Sequence, residues 1–476
     1  MEYPHTVKVL EQCQIAPPSG SVPQTSLSLT FLDLSVLALE PPIRSLAFYR
    51  LECSKTQFVH TILPDMKQSL ALTLQHFFPL VGNLIWSPQS AMPEIIYRDG
   101  DSISFTAAES NFSFNHLCGN HPRDVNVFAP LTTHLLPRSS TTAAVQYPLL
   151  ALRVTLFPNS GICVGMTFSH AAADGMSATH FTKIWALVCR NLGGKTTTLL
   201  SHSLPSFDRT TIVDPHGIET ACLNFMKKIN ISQHSFILPT IPTDEVRDKV
   251  VATFIMDSQN IEKIKKFVLT KIFEKNKKKP SFNLTSVVVT SAYVWVCMIK
   301  ALESDSSKEN SRERLFIPAD CRTRVDPALP VTYFGNCLVS CLATLNKNDL
   351  VGEDGLILAA EMIGKAIETT CTTVLDVAKN LLDNFASLAS ERFVGISGSP
   401  KLRAYDINFG WGKPEKIEIM SADDSCGYVV LSERGDNVDS GLEISVTLKK
   451  LEMDVFASVF HDTLNSMLNT ASAIPL

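Results

Sequence analysis

GICVGMTFSHAAADGMSATHFTKIWALV, residues 161–188, changes its apolar period at the middle. Ile162, Val164, Met166, Phe168 and His170 share one parity, so on a strand they share one face. Past the small residues 171–173, Ala178, Phe181, Trp185 and Val188 make an apolar stripe at helical spacing. Asp174 stands where a helix N-cap belongs, and Gly175 permits a sharp turn. The segment reads as strand, tight turn and helix, with His170 where the strand ends. Upstream, LLALRVTLF at 149–157 is a second strand, and PNSG at 158–161 is the hairpin turn between the two.

Elsewhere strand-like and helix-like segments are interspersed, with no repeat at solenoid or propeller period, which predicts a mixed α/β fold. Residues 68–77 are expected to be helical, broken at Pro79 and turned at Gly82. Residues 200–245 have little periodicity and many Ser, Pro, Thr and Asp, so they read as a long crossover. The expected division is an N-terminal domain over 1–200, a crossover over 201–245 and a C-terminal domain over 246–476. After the crossover, KVVATFIM at 249–256 is a strand. Asp257 or Ser258 caps a helix whose apolar face is Ile261, Ile264, Val268 and Ile272. Residues 284–301 are a buried helix or a strand followed by a helix.

Charged residues are 19% of the 476 and hydrophobic ones 45%, a balance that excludes a disordered chain. A net charge of -5 gives no reason to expect nucleic acid or an anionic membrane as partner. No stretch reaches the ~18–20 apolar residues of a membrane span, so no membrane insertion is expected, and the N-terminus does not read as a secretory signal. The twelve Cys form no C-x-x-C pair and no zinc spacing, so free thiols, a cytoplasmic location and no metal are expected.

H-x-x-x-D is a weak pattern alone. A His beside an apolar strand is more often a hydrogen-bonded core residue than a catalyst, and Asp174 has an equally plain reading as a cap. The context supports a general base: the backbone fixes His170 while the site opens on one side. No G-x-S-x-G elbow supplies a nucleophile.

SHAAADG at 169–175 together with NFGWG at 408–412 resembles the plant BAHD acyltransferases, whose landmarks are HXXXDG and DFGWG. Similar stretches are SLSLTFLDLSVL near the N-terminus, HFFPLVGNL at 76–84 and SGLEISVTLKKLEMDVF near the C-terminus. IPADCRTRVDPALPVTYFGNC ends in YFGNC at 333–337, typical of the branch that acylates sugars of anthocyanins, flavonoids and phenolic glucosides.

The resemblance implies two chloramphenicol-acetyltransferase-like domains, a channel between them, acyl-CoA as co-substrate, no permanently bound cofactor and a monomer. It implies His170 as the base and Asp174 as the residue that holds its loop. Gly175, Phe409, Gly410, Trp411 and Gly412 are structural motif residues; Trp411 and Ser399 are candidates for shaping the pocket. Thr290, Ser291 and Ala292 match a stretch that lines the CoA channel in relatives. Lys263, Lys265, Lys266, Lys275, Lys277, Lys278 and Lys279 could meet CoA phosphates or form a solvated face. The donor is malonyl or hydroxycinnamoyl CoA, and the acceptor a glycosylated phenolic. A non-catalytic relative that binds ligand or a partner protein is the alternative.

One position departs from the family: Asn408 replaces an Asp that pairs with an Arg. If Arg322 or Arg324 is that Arg, Asp406 could replace the missing charge from the same strand face. Simple tolerance of Asn and decay of the site are the other readings.

Overall fold

The hairpin 149–169 forms the centre of a six-stranded sheet in the computed structural model of the chain. The structure describes residues 6–37, 40–139, 145–192, 203–233, 235, 236, 238, 248–302, 311–380, 393–420, 427–436 and 438–472. Across this first sheet the strands run Val7–Ile15, Ile103–Ser110, Leu150–Phe157, Gly161–Phe168, Ile43–Arg50 and Lys416–Met420. A second, seven-stranded sheet runs Leu338–Asn346, Arg312–Asp320, Phe393–Ser397, Tyr428–Glu433, Leu442–Lys449, Lys249–Met256 and Arg123–Asp124. A smaller five-stranded sheet is built from the first half of the chain. The fold is the expected mixed α/β architecture in two halves.

The two strands of the hairpin pair antiparallel from Leu150↔Phe168 to Phe157↔Gly161. Gly165 in the second strand is required by packing. A Cβ there would lie 2.2 Å from the Leu131 carbonyl oxygen. The helix Gly175–Arg190 buries Ala178, Phe181, Trp185 and Val188 against the helix Leu63–Leu74. Asp257 caps the helix Ser258–Asn276, accepting from Asn260 N at 2.7 Å, while Ser258 bonds Asp439. Ile261, Ile264, Val268 and Ile272 are its buried face. Residues 284–301 resolve into one helix, Ser286–Ala301, apolar on nearly every side because the second core surrounds it.

The expected crossover holds more structure than its composition suggested. Ile218–Lys228 is a helix that buries Ile218, Cys222 and Met226 in the first core. Four-residue spacing over only two turns is too brief a signal to stand out among polar neighbours. Part of 200–245 lies outside the described residues.

Each half of the chain lends a strand to the other's sheet. Lys416–Met420 pairs antiparallel with Ile43–Arg50, and Arg123–Asp124 pairs with Lys249–Met256. Arg123 and Glu418 are in ionic contact at 2.7 Å with side chains 0% and 3% exposed. Arg123 also donates to the Leu117 and His121 carbonyls. Nearby, the buried Lys416 Nζ donates to Asn120 at 3.0 Å, Thr253 at 2.8 Å and Glu443 at 3.3 Å.

Removing one member of such a pair strands the other charge in a dry setting, at about 3–5 kcal/mol. Glu418→Ala is therefore expected to lower unfolding free energy by that order, read by urea titration. The double change Arg123→Met with Glu418→Leu should recover much of the loss. A cost under about 1 kcal/mol for Glu418→Ala would show that the pair does not clamp the halves.

Candidate active site

His170 sits two residues past the strand Gly161–Phe168 and lines a cavity of about 1360 Å³ between the two large sheets. The three alanines after it are buried. Asp174 caps that helix, accepting from Ser177 N at 2.9 Å. Its carboxylate is fully buried and turned to Arg322, with contacts of 2.8 Å and 3.0 Å to the two terminal nitrogens. Cys337 N donates to its other oxygen at 3.1 Å. Arg322 also meets Asp320 at 2.9 Å and donates to Ser177 Oγ and the Tyr333 carbonyl. Burial works against the Arg322 charge, but Asp174 and Asp320 outweigh it and hold its pKa above the ordinary arginine value.

His170 is held by a different residue, Asn336 of the YFGNC stretch. His170 Nδ1 and Asn336 Oδ1 are 3.0 Å apart. The orientation of the Asn336 amide follows from its other partners. Its Nδ2 donates to Asp33 Oδ1 at 3.0 Å and to the His170 carbonyl at 2.8 Å, both acceptors only. The atom facing the imidazole is therefore the amide oxygen, and His170 Nδ1 must carry the proton that it donates. In the neutral ring, Nε2 then holds a lone pair. Asp33 is fully buried and satisfied by Asn336 N, Thr30 and Arg209 Nη1, the last at 2.8 Å.

Neither Asn336 nor Asp33 was singled out from the sequence. Both lie inside quoted stretches, YFGNC and SLSLTFLDLSVL, and Asp33 is the one charged residue of the second.

The structure places the other expected site residues in different settings. Thr290, Ser291 and Ala292 are buried within the second core; Thr285, Ser286 and Val287 at the start of the same helix reach the cavity. None of the lysines from 263 to 279 lines the cavity; Lys265 pairs with Glu262 on the solvent face. Ser399 and Gly175 do line it. Trp411 supports the wall from behind: it stacks on Phe409 at 5.4 Å and meets Tyr49 at 5.6 Å, and those two rings face the cavity.

Asn408 does not depend on an Arg. Its Oδ1 accepts from Gly410 N at 2.8 Å and Gly412 N at 3.1 Å, closing the motif on itself. Gly410 and Gly412 have φ of 106° and 92°, which only glycine adopts without strain. Arg322 is committed to Asp174 and Asp320, and Arg324 donates to the Asp320 carbonyl. Asp406 lies in a turn, not on a strand, and pairs with Arg403 and Lys413. The compensation expected between Asp406 and Asn408 is thus absent, because the oxygen that matters is present in Asn and Asp alike.

Thiols beside the site are poor nucleophiles. Burial drives Cys337 upward and pushes Cys321 up to about 12, so both stay protonated near neutral pH. Among the described residues no group of His, Cys, Asp and Glu is placed to hold a metal. No described helix is long and apolar enough to cross a membrane.

A strand-end imidazole held by Asn336 lines a cavity between the two large sheets, an arrangement suited to an acyltransferase. The chain belongs to the transferase family, the BAHD acyltransferases, whose family model, described as "Transferase family", matches residues 6–463. It is a CoA-dependent O-acyltransferase. It is 37% identical to the malonyl-coenzyme A:anthocyanin 3-O-glucoside-6''-O-malonyltransferase of Dahlia pinnata, over 97% of this chain and 98% of that one. It is 35% identical to a coumaroyl-CoA:anthocyanidin 3-O-glucoside-6''-O-coumaroyltransferase of Arabidopsis thaliana, over 95% and 97%. Its fold is similar to that of vinorine synthase, with a TM-score of 0.67 at 20% identity over 94% of this chain and 96% of that one.

With Asn408 satisfied inside its own loop, Asn408→Asp is expected to change stability by less than about 0.5 kcal/mol. Asp406→Ala should add to it without coupling. A double-mutant cycle on thermal unfolding checks this; a coupling above about 0.5 kcal/mol would restore the shared network.

Proposed function

We propose that this enzyme transfers an acyl group from acyl-CoA to a sugar hydroxyl of a glycosylated phenolic: an anthocyanin, another flavonoid glycoside or a phenolic glucoside. The observation that carries the reading is that His170 lines the cavity with its Nδ1–H committed to Asn336, which leaves the lone pair on Nε2. The relatives named above act on anthocyanin or anthocyanidin glucosides, and YFGNC at 333–337 fits the same branch.

The acceptor hydroxyl and the thioester meet in one cavity. A sugar hydroxyl is far less acidic than imidazolium, whose reference pKa is about 6.5, so proton removal accompanies attack. Nε2 takes the proton as the acceptor oxygen bonds to the thioester carbon. The tetrahedral intermediate collapses, the C–S bond breaks, and the CoA thiolate regains the proton from Nε2. Asp174 takes no part in these transfers: its carboxylate is spent on Arg322, Ser177 N and Cys337 N, so it holds the loop. The described cysteines are free thiols, which suits the cytosol, and we read the enzyme as a monomer there.

His170→Ala should fold normally and lose about 10²–10⁴-fold in turnover, the usual worth of a general base. The measurement is product formation by mass over a panel of acyl-CoAs and glucosides. Initial-rate lines should intersect, and acyl-CoA alone should leave no label on the protein. Near-normal turnover by the variant, or stoichiometric acylation of a Cys or Ser, would overturn the mechanism.

A further inference from the structure

The wall of the cavity beside His170 bears on the acyl donor, taking the proposed function as given. Two strands from the hairpin, one from the first half and one lent by the second half put a single sheet face under the cavity. The register fixes its rows. Phe168 stands opposite Ile43, one step from His170. In the next row Leu152, Met166, Ser45 and Ile419 lie side by side, and beyond it Val164, Ala47 and Ile417. All of these line the cavity. Serine is the one polar member, and no member is charged.

None of these rows carries positive charge. Among the described lining residues only Arg324 and Lys401 join His170 as possible cations. Both belong to segments of the second half: Arg324 donates to the Asp320 carbonyl at 2.8 Å, and Lys401 is exposed. The two guanidinium groups of the network around His170 are spent on carboxylates, Arg322 on Asp174 and Arg209 on Asp33.

A malonyl thioester has little freedom in where its charge goes. With C–C bonds of about 1.5 Å, its carboxylate lies only about 3 Å from the carbon under attack. That carbon must itself stand about 3–3.5 Å from the hydroxyl oxygen activated by Nε2. The carboxylate would enter the first layer of side chains around His170. An ion moved onto these apolar rows loses its water and meets no charged partner within them, which is strongly unfavourable. An aryl group suits the same rows, since it buries flat apolar surface.

We infer that the donor carries an uncharged, apolar acyl group, an arylacyl thioester rather than a malonyl one. The test is calorimetric titration of the wild-type protein with free CoA, malonyl-CoA and coumaroyl-CoA in one buffer. Coumaroyl-CoA should bind at least tenfold more tightly than free CoA, and malonyl-CoA no more tightly than free CoA. Malonyl-CoA binding as well as or better than coumaroyl-CoA would overturn the inference. A protein that bound none of the three, free CoA included, would fault the underlying CoA reading and take the inference with it.

Discussion

Asp174 and Arg322 come from opposite halves of the chain and meet at 2.8 Å with 0% and 2% of their side chains exposed. Two charges taken so fully out of water demand good geometry and satisfied neighbours, or the desolvation cost exceeds the attraction. The structure meets that demand around the carboxylate and both terminal nitrogens of Arg322. Asp320 shares the guanidinium, Ser177 Oγ and the Tyr333 carbonyl accept from its Nη2, and the helix N-terminus and Cys337 N complete the carboxylate, leaving only the buried Nε of Arg322 without a partner. The pair thereby fixes where the helix Gly175–Arg190 begins relative to the stretch 333–337. His170 and Asn336 are each a few residues from that junction, and their contact exists because of it.

The junction carries two buried carboxylates with separate duties. Asp174 faces Arg322 and sets the backbone. Asp33, fixed by Arg209 and Thr30, orients the Asn336 amide and through it the imidazole. A carboxylate placed directly on His170 Nδ1 would favour the imidazolium; a neutral amide oxygen fixes the tautomer without that bias. The proposed base, which would take a proton and then release it to a thiolate, is served by such a partner.

The hairpin, the strand-to-helix turn and the Asp174 cap were legible in the sequence because each rests on neighbours within about twenty residues. The apolar face of Ser258–Asn276 was legible for the same reason. Asn336 and Asp33 were not, since their contacts span separations of 166 and 303 residues, which no local period encodes. The exchange of Lys416–Met420 and Arg123–Asp124 between sheets was hidden likewise: short strands read alike whichever sheet they join. Thr290, Ser291 and Ala292 share one turn of a helix that is apolar almost all round, so the sequence offered no way to choose its cavity end. Asn408 was misread by following charge, whereas the structure uses only its carbonyl oxygen.

The central claim is that the Asp33–Asn336 chain places the proton of neutral His170 on Nδ1 and leaves Nε2 free. Nitrogen-15 NMR of the histidine-labelled protein above the imidazole titration reads this directly, with the His170 signals assigned by their loss in His170→Gln. A protonated Nδ1 and an unprotonated Nε2 are predicted for the wild type, with that preference weakened in Asn336→Ala. A wild-type His170 protonated at Nε2, or a tautomer unmoved by removing Asn336, would contradict the account.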